Sequence, residues 1–412
     1  MPTAQPSTPH PDYDFAVIGG GLTGMAIAWG LVRRGRRVVV LDEGDTAYRA
    51  SRGNFALVWV QSKGQGMPEY ALWTMASAQR WGEFAAALNE DTDLDVAFRQ
   101  PGGLHLLLSE REVESRANAL LRLHNQPGMQ AFEYRMLDHD AVEKMLPQVG
   151  PEVAGASFCP FDGHVNALRT LRALHVAFAR LGGRYRPNHA VERIEAHTGE
   201  FRLATAAGEI AAGRVVLAAG LGNAGLAPMV GLEAPVRPQR GQIIVTEKVA
   251  PFMNHIVHTI RQTDEGSVMI ADSVEEAGYD AAVGSEVLAV EAQRAVRMLP
   301  MLARLNVVRC WAALRVMPKD GFPIYDQSTA CPGAYLATCH SGVTLCANHA
   351  LALPPLIDDG TLGQELGAFS ARSCFAGSLK LPAPRLPSRL TACALRRAQA
   401  TASRPPCLPQ DT

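Results

Sequence analysis

Two short apolar runs near the start of the chain, YDFAVI (13–18) and RVVVL (37–41), are rich in β-branched residues, and each reads as a buried strand. Between them LTGMAIAWGLVRR (22–34) has the length and apolar face of a helix, and Gly35 supplies its C-terminal stop. Strand, glycine turn, helix and strand within about thirty residues make a βαβ unit, the crossover that parallel strands require. Further on, helical periodicity marks 69–88, 112–124, 139–146 and 166–181. Asn166 is available to cap the last of these, and Gly182 and Gly183 end it. Strand signals follow at 201–205 and 214–218. Those at 242–246 and 267–271 suggest a second sheet. A helix over 285–305, a strand over 333–338 and a closing helix over 343–357 complete the pattern. The expected class is α/β.

A chain of 412 residues exceeds one compact core, so two domains are expected. Hydrophobic residues at 47% and charged residues at 19% fit a folded globular protein. The net charge of −1 gives no basic excess of the kind a nucleic-acid binder carries. The eight cysteines are dispersed and form no C-x-x-C pair. That spacing points to no zinc or iron–sulfur site, and to reduced thiols in a cytoplasmic protein. His255 and His258 are three apart, with no third ligand evident nearby, and read as ordinary strand or loop residues. No metal is expected.

The N-terminal MPTAQPSTPHPDYD has no basic region followed by an apolar core, so it is not read as a signal peptide. Phe15 to Val32 is uncharged and long enough to suggest a membrane span, but its five glycines have a better explanation in a ligand-binding turn. Residues 373–412 mix Pro, Arg, Ala and Cys without periodicity, and read as disordered or as the product of a shifted reading frame. Residues 1–11 read as a second disordered tail.

The strongest motif is VIGGGLTG (17–24). Gly19, Gly21 and Gly24 fit G-x-G-x-x-G between a strand and a helix. The first glycine permits the tight turn, the second lets a pyrophosphate approach the backbone, and the third allows close helix–strand packing. The helix start offers free N–H groups and a positive dipole end. Asp42 ends the second strand eighteen residues beyond Gly24, placed to accept from ribose hydroxyls. Asp42 and Glu43 together disfavour a 2′-phosphate, which argues against NADP. The motif alone leaves NAD and FAD open.

Four segments in order carry a resemblance to the D-amino-acid oxidase superfamily. They are VIGGGLTG with Asp42; Ser51-Arg52-Gly53-Asn54; AGRVVLAAG ending at Gly220 with PVRPQRGQ ending at Gln242; and WAALRVMPKDGFPIYD (311–326) followed by YLATCHSGVTL (335–345). Three stretches, 58–74, 162–174 and 339–345, resemble the catalytic subunits of opine oxidase, D-hydroxyproline dehydrogenase and hydrogen cyanide synthase.

The resemblance implies a glycine oxidase-like architecture: a discontinuous Rossmann-like FAD-binding domain (12–85, 150–230 and 310–372) and an α+β substrate domain (86–149 and 231–309). It implies FAD, bound non-covalently because the attachment cysteine of covalent relatives falls at Ala312. Ser51 and Asn54 would lie in the loop passing the flavin, Val191 near the adenine, and His340, Ser341, Gly342 and Val343 along the pyrimidine side. Arg315 would pair with the carboxylate of a small amino acid or related amine, and Arg240 would orient the return into the substrate domain. The implied reaction is hydride transfer from a C–N bond. Electrons would pass to oxygen, or to a second flavoprotein or iron–sulfur partner subunit through which the protein could associate with a membrane. A non-catalytic FAD-binding subunit is the remaining alternative.

Overall fold

The computed structural model describes residues 11–44, 50–130 and 132–371. The tails expected at 1–11 and 373–412 lie outside these residues, apart from Pro11. The described residues all fall in one compact unit.

The opening βαβ unit forms as the pattern requires, with β1 (Tyr13–Ile18), α1 (Leu22–Arg33) and β2 (Val38–Leu41). β1 lies parallel to β2 on one side and to Gly208–Leu217 on the other. The rest of this eight-stranded sheet is Arg184–Arg186 beyond β2, Ala334–Thr338 and Ile324–Gln327 beyond Gly208–Leu217, and a meander formed by Val191–His197 and Glu200–Thr205. Successive side chains of a strand point to opposite faces. Phe15 and Val17 accordingly enter one core with α1, while Ala16 and Ile18 enter another with Leu203, Val215 and Leu217. Both faces are covered, which is why β1 and β2 read as continuous apolar runs rather than alternating ones.

α1 is buried along most of its length because α2 (Pro68–Thr92) and the helices Ala167–Arg180 and Cys346–Leu351 pack around it. Trp29 of α1 meets Phe84 of α2 edge-on at 5.7 Å. The second eight-stranded sheet is mainly antiparallel. Its longest pair is β3 (Val236–Lys248) against β4 (Val307–Pro318). Leu104, Phe158, Ile244 and Val268 from this sheet share a core with Leu299 and Leu302.

Two expected helices are broken. The first ends at Met298, and a 3₁₀ turn over Pro300–Arg304 follows. Proline has no N–H and pushes its predecessor out of the helical region, and Leu299 sits at φ −135°, ψ 89°. The closing helix is two short ones, Cys346–Leu351 and Leu353–Asp359, with Pro354 in the first turn of the second. Residues 343–345 belong instead to a turn, a difference that matters at the site.

Candidate functional site

The glycine turn has little room for side chains. Gly19 adopts φ +113°, and a Cβ there would lie 2.4 Å from the Ala218 carbonyl oxygen. A Cβ on Gly24 would lie 2.0 Å from the Gly19 carbonyl oxygen. Gly21 precedes α1 with no side-chain cap, and no acidic residue occupies the first turn. The helix N-terminus is therefore open to an anion. The Leu22 N–H donates to Ser51 Oγ at 3.0 Å, which brings the 51–54 loop against the turn.

Asp42 lies beside the turn, its two carboxylate oxygens accepting from Gly20 N at 2.7 Å and Gly44 N at 3.0 Å. Oδ1 also accepts a longer hydrogen bond from Tyr185 Oη at 3.4 Å, and Oδ2 keeps a further lone pair that a ribose hydroxyl could use. Glu43 is exposed next to it.

The 339–345 turn meets the same helix end. A Cβ on Gly342 would come within ordinary contact of Thr23 Oγ1, at 3.7 Å. The turn is held from outside by buried donors: Tyr70 Oη and Ser341 Oγ are 2.8 Å apart, and Trp81 Nε1 donates to Val343 O at 3.2 Å. Thr344 Oγ1 accepts from Trp59 N at 3.1 Å, fastening the turn to the 59–66 loop. Val343 is buried, as the core contact of this turn.

Arg315 reaches the site from β4. It lies opposite Gln239 in the β3–β4 register, and its guanidinium crosses Gly241, where a Cβ would sit 2.4 Å from Nη2. Nη1 donates to the Arg240 carbonyl at 3.2 Å, and Arg315 has no ion pair among the described residues. Arg240 is instead paired with Glu275 at 2.8 Å and Asp280 at 2.6 Å. Burial lowers the Arg315 pKa, opposed by the charges of Glu291, Asp272 and Glu275. Trp311 Nε1 donates to Gly53 O at 3.3 Å, joining β4 to the 51–54 loop.

His340 is held uncharged by burial first, and then by the charges of Lys63 and Arg315. Its Nδ1 lies 3.5 Å from Ser341 Oγ, at the outer limit of a hydrogen bond. The structure thus brings together Gly19, Gly21, Gly24, Asp42, Ser51, Ser341 and Gly342 at one helix end, with His340 and Arg315 in electrostatic contact beside it.

Other expected residues have plainer surroundings. Asn54 Oδ1 accepts from Ala56 N at 2.5 Å and closes a turn in which Ala56 has φ +67°. Gly220 ends the Gly208–Leu217 segment at φ +59°. Val191 begins its strand opposite Thr205, half-buried against the second core. His255 Nδ1 lies 2.8 Å from Pro101 O, and His258 stacks on His105 at 4.6 Å.

Lys63 and Asp162 lie in the 58–74 and 162–174 stretches, which assign them no role, yet both belong to this region. Asp162 is fully buried. Its oxygens accept from Val60 N and Gln61 Nε2, both at 2.6 Å. Burial pushes its pKa up to about 7 against those hydrogen bonds. Two surface clefts, one beside Glu233 and Asp326 and the other beside His197 and Cys331, share no residue with this constellation.

A glycine turn that excludes side chains, an uncapped helix end, a carboxylate beside the turn and a closing turn over the same helix make a site that fits a dinucleotide. The chain belongs to the FAD dependent oxidoreductase (DAO) family, whose model matches residues 14–353. It is 48% identical over 361 residues to one of the subunits of opine oxidase from Agrobacterium tumefaciens (strain Ach5), covering 88% of this chain and 97% of that protein. It is 27% identical to the hydrogen cyanide synthase subunit HcnC of Pseudomonas protegens, covering 87% of this chain and 96% of the relative. Among solved structures, glycine oxidase from Geobacillus kaustophilus superposes with a TM-score of 0.76 at 25% identity, over 84% of this chain and 95% of that one. The chain is an FAD-dependent oxidoreductase with a glycine oxidase-like fold.

Proposed function

We propose that this protein oxidises the C–N bond of a small amino acid or secondary amine, working as the dehydrogenase subunit of a larger enzyme. The observation that carries the reading is Arg315, a desolvated guanidinium without an ion pair among the described residues, beside the turn that closes over the cofactor-binding helix. A buried guanidinium favours a planar anion that can accept two hydrogen bonds, and a carboxylate fits.

FAD, when bound, supplies the acceptor for the hydride that leaves the carbon next to nitrogen. The chain's own residues aim the substrate. Arg315 fixes the carboxylate, and the packed walls of the 339–345 turn limit water. Orientation of this kind accounts for several kcal/mol of a barrier, so no dedicated protein base is needed. His340 lines the site with an uncharged ring and does not compete with Arg315 for the carboxylate.

Val191 would pack near the adenine, and Asn54 would shape the loop passing the flavin. Ala312 stands where covalent relatives carry their attachment cysteine, and Cys310 pairs across the sheet with Ile244, which supports non-covalent FAD. Residues 12–85, 150–230 and 310–372 would form the FAD-binding domain, with 86–149 and 231–309 forming the substrate domain. Two of the relatives are named as subunits, which supports an electron-accepting partner, either a second flavoprotein or an iron–sulfur protein. No helix among the described residues is long and apolar enough to cross a membrane, and a cytoplasmic location is part of this reading.

The test is anaerobic mixing of the holoenzyme with glycine, sarcosine, D-amino acids, D-hydroxyproline and opines, following flavin absorbance. Bleaching by at least one of them is expected. A flavin that none of them reduces would remove the amine-oxidising reading. Bleaching followed by rapid peroxide formation in air would move the protein to the stand-alone oxidases.

A further inference from the structure

Gly20, the second of the three consecutive glycines, is gripped on three sides. It is buried, and its N–H donates to Asp42 Oδ2 at 2.7 Å. A Cβ there would lie 2.9 Å from Cε2 of Tyr185, whose ring closes a second side. On the third side the Gly20 carbonyl oxygen lies 3.1 Å from Nε2 of His175. A carbonyl only accepts, so Nε2 carries the proton and donates it to this bond. No other donor among the described residues reaches that oxygen. A buried carbonyl needs a partner, and this partner comes from 155 residues away, outside the glycine motif.

His175 is delivered by the helix Ala167–Arg180. Leu171, Leu174 and Phe178 of that helix are buried in the core shared with α1, and His175 follows Leu171 by one turn on the same side. Its ring meets Tyr185 edge-on at 4.6 Å. Tyr185 in turn sits on the short strand Arg184–Arg186, opposite Val40 of β2. Packing therefore sets the ring where the Gly20 carbonyl can use it.

Peptide geometry carries this contact to the other side of the chain. The Gly20–Gly21 peptide is planar and trans, so its C=O and N–H point in opposite directions. Holding the Gly20 carbonyl towards His175 turns the Gly21 N–H away from it. That N–H has no partner among the described residues, and Gly21 stands at the uncapped start of α1, where the helix end is open to an anion. Neither flanking residue resists rotation of the peptide plane, because residues without a Cβ pass readily between negative and positive φ. Rotated by half a turn, the same peptide would present a carbonyl oxygen to the phosphates in place of an N–H.

We propose that His175 is a positioning residue for the cofactor, whose Nε2–H locks the Gly20–Gly21 peptide so that the Gly21 N–H, and not the Gly20 oxygen, meets the diphosphate of FAD. The effect is pre-organisation. Apparent affinity falls with the fraction of molecules that hold the competent form, so FAD binding reads the lock directly. The inference goes beyond the amine-oxidising reading and holds whichever substrate is oxidised.

The test compares wild-type holoenzyme with His175→Phe and His175→Gln. Phenylalanine keeps a ring against Tyr185 and has no donor, whereas glutamine gives up the ring and keeps an N–H. FAD dissociation constants would come from equilibrium dialysis of holoenzyme against graded free FAD, with far-ultraviolet circular dichroism as the check on folding. His175→Phe should raise the constant about tenfold, the change expected if about one molecule in ten keeps the competent peptide. His175→Gln should raise it less than about threefold, because the carbonyl keeps a donor. Competition against bound FAD by ADP and by adenosine locates the loss. His175→Phe should weaken ADP by the same factor as FAD and leave adenosine, which has no phosphate, within about twofold. If His175→Phe does not fold, His175→Met takes its place, a flexible filler without an N–H.

Unchanged FAD affinity in the donor-less variant overturns the proposal. An equal loss in the donor-less and glutamine variants also overturns it, since ring packing against Tyr185 would then be the cause. An equal loss of ADP and adenosine would place the effect at Asp42 and the ribose, and would overturn it as well.

Discussion

The guanidinium of Arg315 lies across Gly241, so that a Cβ at residue 241 would sit 2.4 Å from Nη2 and 2.5 Å from Cζ. The glycine of the RGQ segment is explained by this crossing. Its backbone is not in the left-handed region, so a methyl group there strains no dihedral angle and meets only the far end of a flexible side chain. Gly241→Ala should therefore leave thermal stability within about 1 kcal/mol of wild type and FAD content unchanged. It should displace the guanidinium and raise the dissociation constant for a carboxylate substrate about tenfold or more, since aim at this position is what the site supplies. Unchanged substrate binding in a folded, yellow variant would show that the guanidinium does not need its present position.

Gly24 gives a contrasting case. Its missing Cβ faces the Gly19 carbonyl at 2.0 Å, and that oxygen belongs to a turn held between β1 and α1. Neither backbone segment can yield without opening the glycine turn. Gly24→Ala should lower FAD occupancy more than it lowers helix content. Flavin per chain after gel filtration, read beside far-ultraviolet circular dichroism, checks this. Full FAD occupancy in the variant would mean that the turn is softer than its contacts imply.

The glycine turn also shows what a sequence reveals. Gly19 and Gly24 are legible because a turn that excludes Cβ atoms leaves only one residue type available at fixed spacing. β1 and β2 are legible because both faces are covered, leaving unbroken apolar runs. β4 was not recognisable as a strand: Val307, Val308 and Arg309 are exposed, so its first half carries no apolar alternation. The break at Pro300 was in the letters and overridden by helical periodicity on both sides of it. Asp162 was hidden for another reason: nothing in the 162–174 stretch shows that it is fully buried and accepts from Val60 N and Gln61 Nε2, partners about a hundred residues away. The glycines report local backbone geometry, whereas Asp162 acquires its role from tertiary contact.

Stability should depend on pH through His349. Tyr325 Oη accepts from Trp73 Nε1 at 3.3 Å and lies 2.7 Å from His349 Nε2, to which it can donate. An acceptor role at Nε2 requires a neutral ring, and burial holds the His349 pKa down to about 3. A histidine with a depressed folded pKa binds fewer protons folded than unfolded between its two pKa values. Its stabilising effect is complete above the unfolded value of 6.5 and is lost as pH falls from there towards about 3. His258, at about 3, and His164, at about 4, act in the same direction. Wild type should lose stability steeply below pH 6. His349→Gln keeps an acceptor for Tyr325 and removes one titration, so its loss should be shallower by up to about 1.4 kcal/mol per pH unit. Urea unfolding at pH 6.5 and pH 5 measures the two slopes. Parallel slopes would show that His349 is not protonated on unfolding in this range.

Arg315 itself gives the sharpest test of the proposed chemistry. Its guanidinium is desolvated, has no ion pair among the described residues, and can present two parallel donors to a carboxylate. Arg315→Ala would leave that carboxylate buried without a partner, a loss of about 2–5 kcal/mol in kcat/KM. Arg315→Lys keeps the charge but not the paired geometry, so part of the loss should remain. FAD should bind to both variants, because the glycine turn, Asp42 and Ser51 are contributed by other elements. The discriminating comparison uses the substrate found by anaerobic reduction and its decarboxylated analogue. The analogue has no group for Arg315 to hold, so its rate of flavin reduction should change little in either variant, while the parent compound loses most of its rate. If Arg315→Ala slows both compounds equally, the guanidinium acts on the fold or the cofactor and not on a carboxylate, and the assignment of amino-acid substrates loses its main support.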